Sequence, residues 1–454
     1  MGICSSVARQ MNLKEKNLRF LFWATLVLSL VCYFLQGYFL HRHQTAPMLT
    51  CFSILFLSYF FWLKNVHRFD FKDLIILSVV FRLVFIFSVP ALSDDFYRFI
   101  WDGELWVNGI NSFAHTPREI VTRFDIRRLE ELFPFIYGKD YHTVYPPVAQ
   151  LVFRLSAYVS ANLLISVLLL RLVIYAFEFC TIWILWRLLK EAKFPVNNLF
   201  IYALNPLIIL EFSGNLHHEA YVIFFLSAML LFLYKQNTAG VAITFSGAVM
   251  SKLLPLIFLP ALSSFLSKRR FFSMCVVIVT LTLTGFFLMG GVEVFAGMTS
   301  GLALYFQKFE FNPSLGYLVR AVGNIFTGYN IIAFAGPVMG FISAVIILGI
   351  SIRKPTHVHS DSDLRKLTDL LAIVLTVYLV FSTTVHPWYI TPLIMLSVFG
   401  NFRFSLLWSA MILLTYSGYQ ISGYKENALI PAIEYLVVFA FLFFEWKILN
   451  RSIA

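Results

Sequence analysis

Residues 72–103 read KDLIILSVVFRLVFIFSVPALSDDFYRFIWDG: an apolar run over 72–91, then Ser93-Asp94-Asp95-Phe96-Tyr97-Arg98-Phe99-Ile100-Trp101-Asp102-Gly103. The run is long enough to cross a hydrocarbon core as a helix. The segment behind it places three carboxylates, an arginine and a tyrosine where the chain leaves the bilayer. Ionisable groups beside lipid are costly and are held there for ion paths, proton relays or chemistry. This junction of span and charge sets the reading of the whole chain.

Apolar stretches recur at 19–40, 47–64, 72–91, 162–189, 197–213, 219–235, 239–251, 253–266, 271–290, 331–352, 367–385, 388–400, 405–419 and 431–448. With 59% hydrophobic and 13% charged residues, against about 25% charged in soluble domains, the chain reads as one all-α polytopic membrane domain over 1–454. It lacks the alternating strands of an outer-membrane barrel.

The net charge of +11 follows topology. With the N-terminus inside, the tails and alternate gaps carry most of the Lys and Arg, from Lys14, Lys16 and Arg19 through Lys64, Arg68, Lys190, Lys193, Lys235, Lys268, Arg269 and Arg270 to Arg365, Lys366 and Arg403. The short opposite gaps hold only Arg42, Lys308, Arg320 and Lys425. This is the positive-inside pattern, so a nucleic-acid role is set aside. It places 92–160 outside as a large loop with juxtamembrane helices, and 291–330 outside as a second loop.

Cys4, Cys32, Cys51, Cys180 and Cys275 include no CxxC, and none lies in an outer loop, so neither a disulfide framework nor a thiolate metal site is expected. Met1-Gly2-Ile3-Cys4-Ser5-Ser6 fits an acylation pattern that adds little to a chain anchored by many helices. His357 and His359 read as part of a solvated linker. The compact loops point to a bacterial inner membrane.

Four segments bring chemistry to the outer face: Asp94, Asp95 and Asp102; Asn215-Leu216-His217-His218-Glu219 between two apolar stretches; Lys252 at the apex of the short pair 239–251 and 253–266; and His386-Pro387-Trp388-Tyr389. Each has a plainer reading. An Asp pair can cap a helix, Asp102 can sit in a turn, His217 to Glu219 can be a polar link, Lys252 can snorkel, and His386-Pro387 can simply end a helix. Their convergence is what a base and a phosphate-binding cation require. Arg82, Arg171 and Glu178 are the ionisable residues read as lying inside spans.

The segment Asp95–Gly103 resembles the D-x-Y-R-Y-x-W-D-G signature of GT-C superfamily membrane glycosyltransferases, closest to polyprenol-phosphate-mannose-dependent enzymes of the glycosyltransferase family 87 kind. Tyr145-Pro146-Pro147-Val148-Ala149-Gln150, Asn205-Pro206-Leu207 with Gly214–Glu219, and Ser251-Lys252-Leu253-Leu254-Pro255 resemble further motifs of that family. Asn111-Ser112-Phe113 departs from its N-P-Y, so acceptor contacts are expected to differ. Three spans before the acidic loop also exceed the single one common in the superfamily.

The resemblance implies a GT-C-like bundle of about 12–14 transmembrane helices that moves a hexose, mannose foremost, from a polyprenyl-phosphate donor to a hydroxyl acceptor. The acceptor would be a glycan, glycolipid or protein at the non-cytoplasmic face, and the anomeric centre would invert. Asp95 is then the base, and Asp94 raises its pKa by like-charge repulsion. Lys252, with His217, binds the donor phosphate. Arg98, Tyr97, Asp102, Tyr145, His218, Glu219 and His386 complete the substrate-binding set. Metal dependence is left open: a lysine-assisted mechanism needs no cofactor, while Asp94, Asp95, His217, His218 and Glu219 offer oxygen and nitrogen atoms to a divalent metal. The rival reading is a transporter or flippase of a lipid-linked glycan, which calls for charges buried at mid-membrane.

Overall fold

A computed structural model describes residues 2–160, 162–352, 358 and 360–453, with the side chains of 2–14, 304–306 and 450–453 left aside. His357, His359, the Cys4 side chain and the Tyr305 side chain therefore lie outside the described residues.

The protein is an all-α polytopic membrane protein. Among the described residues six helices are long and apolar enough to cross a bilayer: Glu15–Tyr38, Thr45–Lys64, Leu163–Glu191, Lys268–Gly290, Ile332–Ser351 and Leu429–Leu449. A seventh candidate is the bent pair Val196–Ala203 and Pro206–Gly214, broken by 48°. Glu219–Tyr234, Thr238–Ser251, Pro387–Leu396 and Phe404–Gly418 are shorter apolar helices, and Asp361–Phe381 packs among them. Apolar side chains such as Leu57, Phe87, Leu288, Phe341 and Leu436 stand exposed on this surface, as lipid-facing positions should.

Where the helices differ from expectation, proline and backbone supply explain it. The stretch 72–91 is helical only over Phe71–Leu83; the chain then passes into turns, with Tyr175 Oη donating to Arg82 O and Tyr38 Oη donating to Val84 O at 2.9 Å. The return arm 253–266 breaks into Leu254–Phe258 and Leu259–Leu262 at Pro255 and Pro260. Carbonyls freed by such breaks need donors inside a membrane, and two buried arginines provide them. Arg82 donates to Ala203 O at 2.8 Å and Ser78 O at 2.9 Å. Arg171 donates to Ser213 O at 2.8 Å and Ser88 O at 2.6 Å. Glu178 neutralises Arg82 at 2.9 Å and accepts from Tyr202 Oη. The N-P break is capped by Asn205 Oδ1, which accepts from Leu207 N at 2.9 Å.

The two faces of the molecule are chemically distinct. On one, His67 meets Asn197 at 3.1 Å, Arg270 bonds Gln236 at 2.9 Å and Arg365 stacks on Phe194. These contacts gather the basic turns 64–70, 190–198, 235–237, 267–270 and 360–366. On the other, Arg42 from the turn between the first two helices pairs with Asp94, and Asn111 donates to Gly290 O at 3.0 Å. The acidic 92–160 region lies on this second face as three helices, Asp95–Val107, Pro117–Arg123 and Arg127–Leu132, followed by Pro147–Val159. The stretch 291–330 contributes two more, Glu293–Gln307 and Ser314–Thr327. A two-stranded hairpin, Tyr419–Gln420 with Gly423–Tyr424, pairs Tyr419 with Tyr424 and sets Tyr419 beneath Arg42.

Candidate active site

The Asp95–Val107 helix is amphipathic, and its inner face is fixed by contact with Pro147–Val159. Gly103 makes the approach possible: a Cβ there would lie 2.2 Å from the Phe153 carbonyl oxygen. Trp101 and Asp102 are fully buried beside it. Asp102 is thus a mid-helix residue, and the turn reading of Trp-Asp-Gly does not hold. Its carboxylate takes Arg98 Nε at 2.9 Å, Thr143 Oγ1 at 2.5 Å and Gln150 Nε2 at 2.9 Å, while Gln150 Oε1 accepts from Trp106 Nε1 at 2.9 Å. This closed network ties 141–150 to the helix. It leaves Asp102 enclosed, with Arg98 bound alongside.

At the helix start, Asp94 makes no side-chain cap hydrogen bond, so capping does not account for it. It pairs with Arg42 at 2.5 Å. Asp95 faces inward, and its side chain keeps 39% of its surface accessible. It opens on a recess shared with three other segments, which carry His217 and Glu219, Lys252, and Trp388 with Tyr389. The low-dielectric walls still remove enough water to push its carboxyl above the usual carboxylate range. Burial is the largest cause; His217 and Lys252 oppose it, and Glu219 and Asp94 add to it.

Opposite lies the turn after the bent pair. Ile209–Gly214 is π-helical, a form that recurs at functional sites, and Leu216 is held at φ 65°, a conformation uncommon for a branched residue. Together they project His217 into the recess, with Nε2 3.8 Å from Asp95 Oδ2 and Nδ1 2.9 Å from Glu211 Oε2. Its ring stacks on Trp388 at 3.6 Å, and Trp388 stacks in turn on His386 at 4.4 Å. His386 is therefore one ring removed from the recess, and burial holds it well below its ordinary pKa. His218 turns the other way, edge-on to Tyr145 at 5.2 Å and Phe99 at 5.7 Å. Burial lowers it to about 4, partly offset by Glu219.

The cation comes from the short hairpin. Thr238–Ser251 runs from the basic face, where Asn237 caps it through Gly240 N at 2.9 Å, and the backbone turns extended at Lys252. The ammonium pairs with Glu219 and lies 3.8 Å from the Tyr389 ring centroid. Glu219 is 1% exposed and Lys252 19%, so the carboxylate is the buried anchor and the ammonium the end that meets the recess.

The expected residues thus divide. Asp95, His217, Glu219 and Lys252 converge directly, with Asp94 behind Asp95 and His386 behind Trp388. Arg98 and Asp102 brace the loop, His218 and Tyr145 pack one wall, and Tyr97 stacks on Phe135 at 4.7 Å. Among the described residues no three His, Cys, Asp or Glu side chains converge as a metal site.

Glu211 is the residue the sequence reading passed over. It is fully buried, accepting from Tyr416 Oη at 2.8 Å and from Asn215 Nδ2 at 3.1 Å. An acid inside the apolar stretch 197–213 was the available signal. Glu434, likewise buried, accepts from Trp408 Nε1 at 2.8 Å.

No curated protein and no solved structure matches the chain. The family model described as alpha-(1->6)-mannopyranosyltransferase, N-terminal domain, matches residues 25–268. That span is more than half of the sequence and includes Asp95, His217, Glu219 and Lys252. This chain belongs to the alpha-(1->6)-mannopyranosyltransferase family.

Proposed function

We propose that this mannosyltransferase takes mannose from a polyprenyl-phosphate donor and transfers it to a hydroxyl acceptor at the non-cytoplasmic face, with inversion. The observation that carries the reading is the pairing in one recess of an accessible carboxylate, Asp95, with a cation, Lys252, presented by a helix end of separate origin.

Asp95 removes the proton of the acceptor hydroxyl as its oxygen attacks the anomeric carbon. The bond from that carbon to the phosphate oxygen breaks, and the phosphate leaves with the electron pair. A carboxyl held above its usual range is a stronger base than a free one, and Asp94 helps to keep it there. Lys252, oriented by Glu219, stabilises the charge growing on the phosphate, as preorganised cations do. A single displacement suffices because a lipid phosphate is already a good leaving group.

The face assignment rests on charge: the recess lies opposite the basic turns, and basic turns favour the cytoplasm. In a bacterial inner membrane a lipid-linked donor reaches that side where nucleotide sugars do not. Glycans, glycolipids and proteins are all acceptors this chemistry serves. The flippase reading is weaker, because Arg82, Arg171 and Glu178 are engaged with backbone carbonyls and one another. They brace broken helices, and no residue of that set is left to line a path.

The test supplies membranes containing the protein with radiolabelled polyprenyl-phosphate-mannose, or with labelled nucleotide-mannose when no polyprenyl-phosphate-mannose synthase is present. Label passing to an acceptor from the lipid donor alone supports the reading. Transfer from the nucleotide sugar, or movement of the intact lipid between leaflets without transfer, would overturn it.

A further inference from the structure

His217 is 1% exposed on its side chain, yet neither ring nitrogen has an aligned hydrogen-bond partner. Buried polar atoms left this way are costly and call for an explanation. Carboxylates stand at both ends of the ring: Glu211 at 2.9 Å from Nδ1, off the line of an ideal hydrogen bond, and Asp95 at 3.8 Å from Nε2. Stacking on Trp388 fixes the ring plane between them. The His217 backbone N–H also donates to Glu211 O at 3.0 Å, so the π-helical segment holds residue and partner in one unit.

Glu211 receives hydrogen bonds at both oxygens, from Tyr416 Oη and Asn215 Nδ2. Both Glu211 oxygens act as acceptors there, so the Nδ1 that faces Oε2 is the ring nitrogen placed to carry a proton. Nε2 is then the basic nitrogen of the ring, and it points at Asp95.

We infer that Glu211 is a positioning residue: it holds His217 with Nδ1–H inward and Nε2 toward Asp95, so that the proton Asp95 takes from the acceptor passes to His217. This rests on the reading of Asp95 as base. The oxygen–hydrogen bond of the acceptor breaks, the proton moves to Asp95 Oδ2 and then to Nε2, and the electron pair of the sugar–phosphate bond leaves on the phosphate. The imidazolium so formed lies between two carboxylates, and Asp95 returns to its anionic form while product is still bound. The other titratable groups around Asp95 and His217 are Asp94, His218, Glu219, Lys252, His386, Tyr416 and Tyr419. Glu219 and Lys252 neutralise each other, and Asp94 is paired with Arg42. Glu211 is therefore the anion with direct hold on Nδ1.

The experiment measures the pH dependence of kcat for lipid-donor transfer by the full-length protein, comparing wild type with Glu211→Gln, Tyr416→Phe, His217→Gln and Asp95→Asn. Glu211→Gln should lower kcat about 10- to 100-fold, within the range of proton-transfer catalysis, with donor KM within about twofold. Its acid limb should move to lower pH, because the imidazolium that the relay forms loses the carboxylate 2.9 Å from Nδ1. Tyr416→Phe, which removes one of the two hydrogen bonds Glu211 accepts, should move the limb in the same direction by less. A Glu211→Gln profile scaled down with an unmoved limb would overturn the relay and leave Glu211 a structural brace. Should Glu211→Gln fail to accumulate, His217→Gln decides: the relay requires its acid limb to shift, and an unshifted limb overturns it. An active Asp95→Asn enzyme removes the base reading and the relay together, whereas an inactive one with an unmoved Glu211→Gln limb removes the relay alone.

Discussion

Replacing Lys252 by Met separates two roles that the Lys252–Glu219 pair combines. Met keeps an apolar stem of similar length and removes the charge, leaving Glu219, 1% exposed, without its cation. Removing one partner of a buried pair costs about 3–5 kcal/mol. Lys252 itself is 19% exposed, so water reaches the vacated position and the lower end, about 3 kcal/mol, is expected. The apparent melting temperature of detergent-solubilised protein, followed by size-exclusion fluorescence, should fall by several degrees. Transfer should fall further than the loss of folded protein explains, by about 100- to 1,000-fold, the cost of losing a preorganised charge at a leaving group. The double change Lys252→Met with Glu219→Gln removes the orphaned carboxylate and should return stability to within about 1 kcal/mol of wild type without restoring transfer. Recovery of transfer in the double variant would refute the reasoning, since Lys252 would then serve only to neutralise Glu219. An unchanged melting temperature in the single variant would refute the anchoring part.

Gly103→Ala places a methyl group 2.2 Å from the Phe153 carbonyl, so the Asp95–Val107 and Pro147–Val159 helices must part; a loss of about 1–3 kcal/mol should appear as a lowered melting temperature, and an unchanged one would mean that the helices separate freely. Asp94→Asn withdraws a like charge from Asp95, whose carboxyl sits above its usual range. Activity needs that carboxyl ionised and is lost as pH falls through its pKa, so the acid limb of the pH profile should move to lower pH, and a limb moving upward would contradict the assignment. His218, lowered to about 4 by burial, stays neutral above that, so His218→Gln should change rate without changing the shape of the profile between pH 5 and 9.

The convergence of residues in the candidate site was partly readable because membranes make polar residues expensive. Asp95, His217, Glu219 and Lys252 stood out as costly groups beside apolar stretches, and the short segment 239–251 marked Lys252 as an apex. What stayed hidden depends on contacts between distant parts of the chain. Asp102 looks like a turn residue in Trp-Asp-Gly, yet its burial is set by Thr143 and Gln150, some 41 and 48 positions away. Arg42 gives no local sign that it will meet Asp94, 52 residues on. Glu211 was visible as an acid in an apolar stretch, but its place beside His217 follows from a π-helical register that hydrophobic periodicity does not encode. Span boundaries failed where the backbone breaks, at Pro255 and Pro260 and after Leu83, since hydropathy measures apolar content while helix continuity also needs backbone N–H groups.

The most direct test of the central claim is mannose transfer from the polyprenyl-phosphate donor by Asp95→Asn protein, compared with wild type at equal amounts of folded enzyme in the membrane. The carboxamide fits the same space and cannot accept the acceptor's proton. The account predicts that transfer falls at least about 100-fold while the variant accumulates and melts like wild type. Transfer near the wild-type rate would contradict it and move the base elsewhere in the recess.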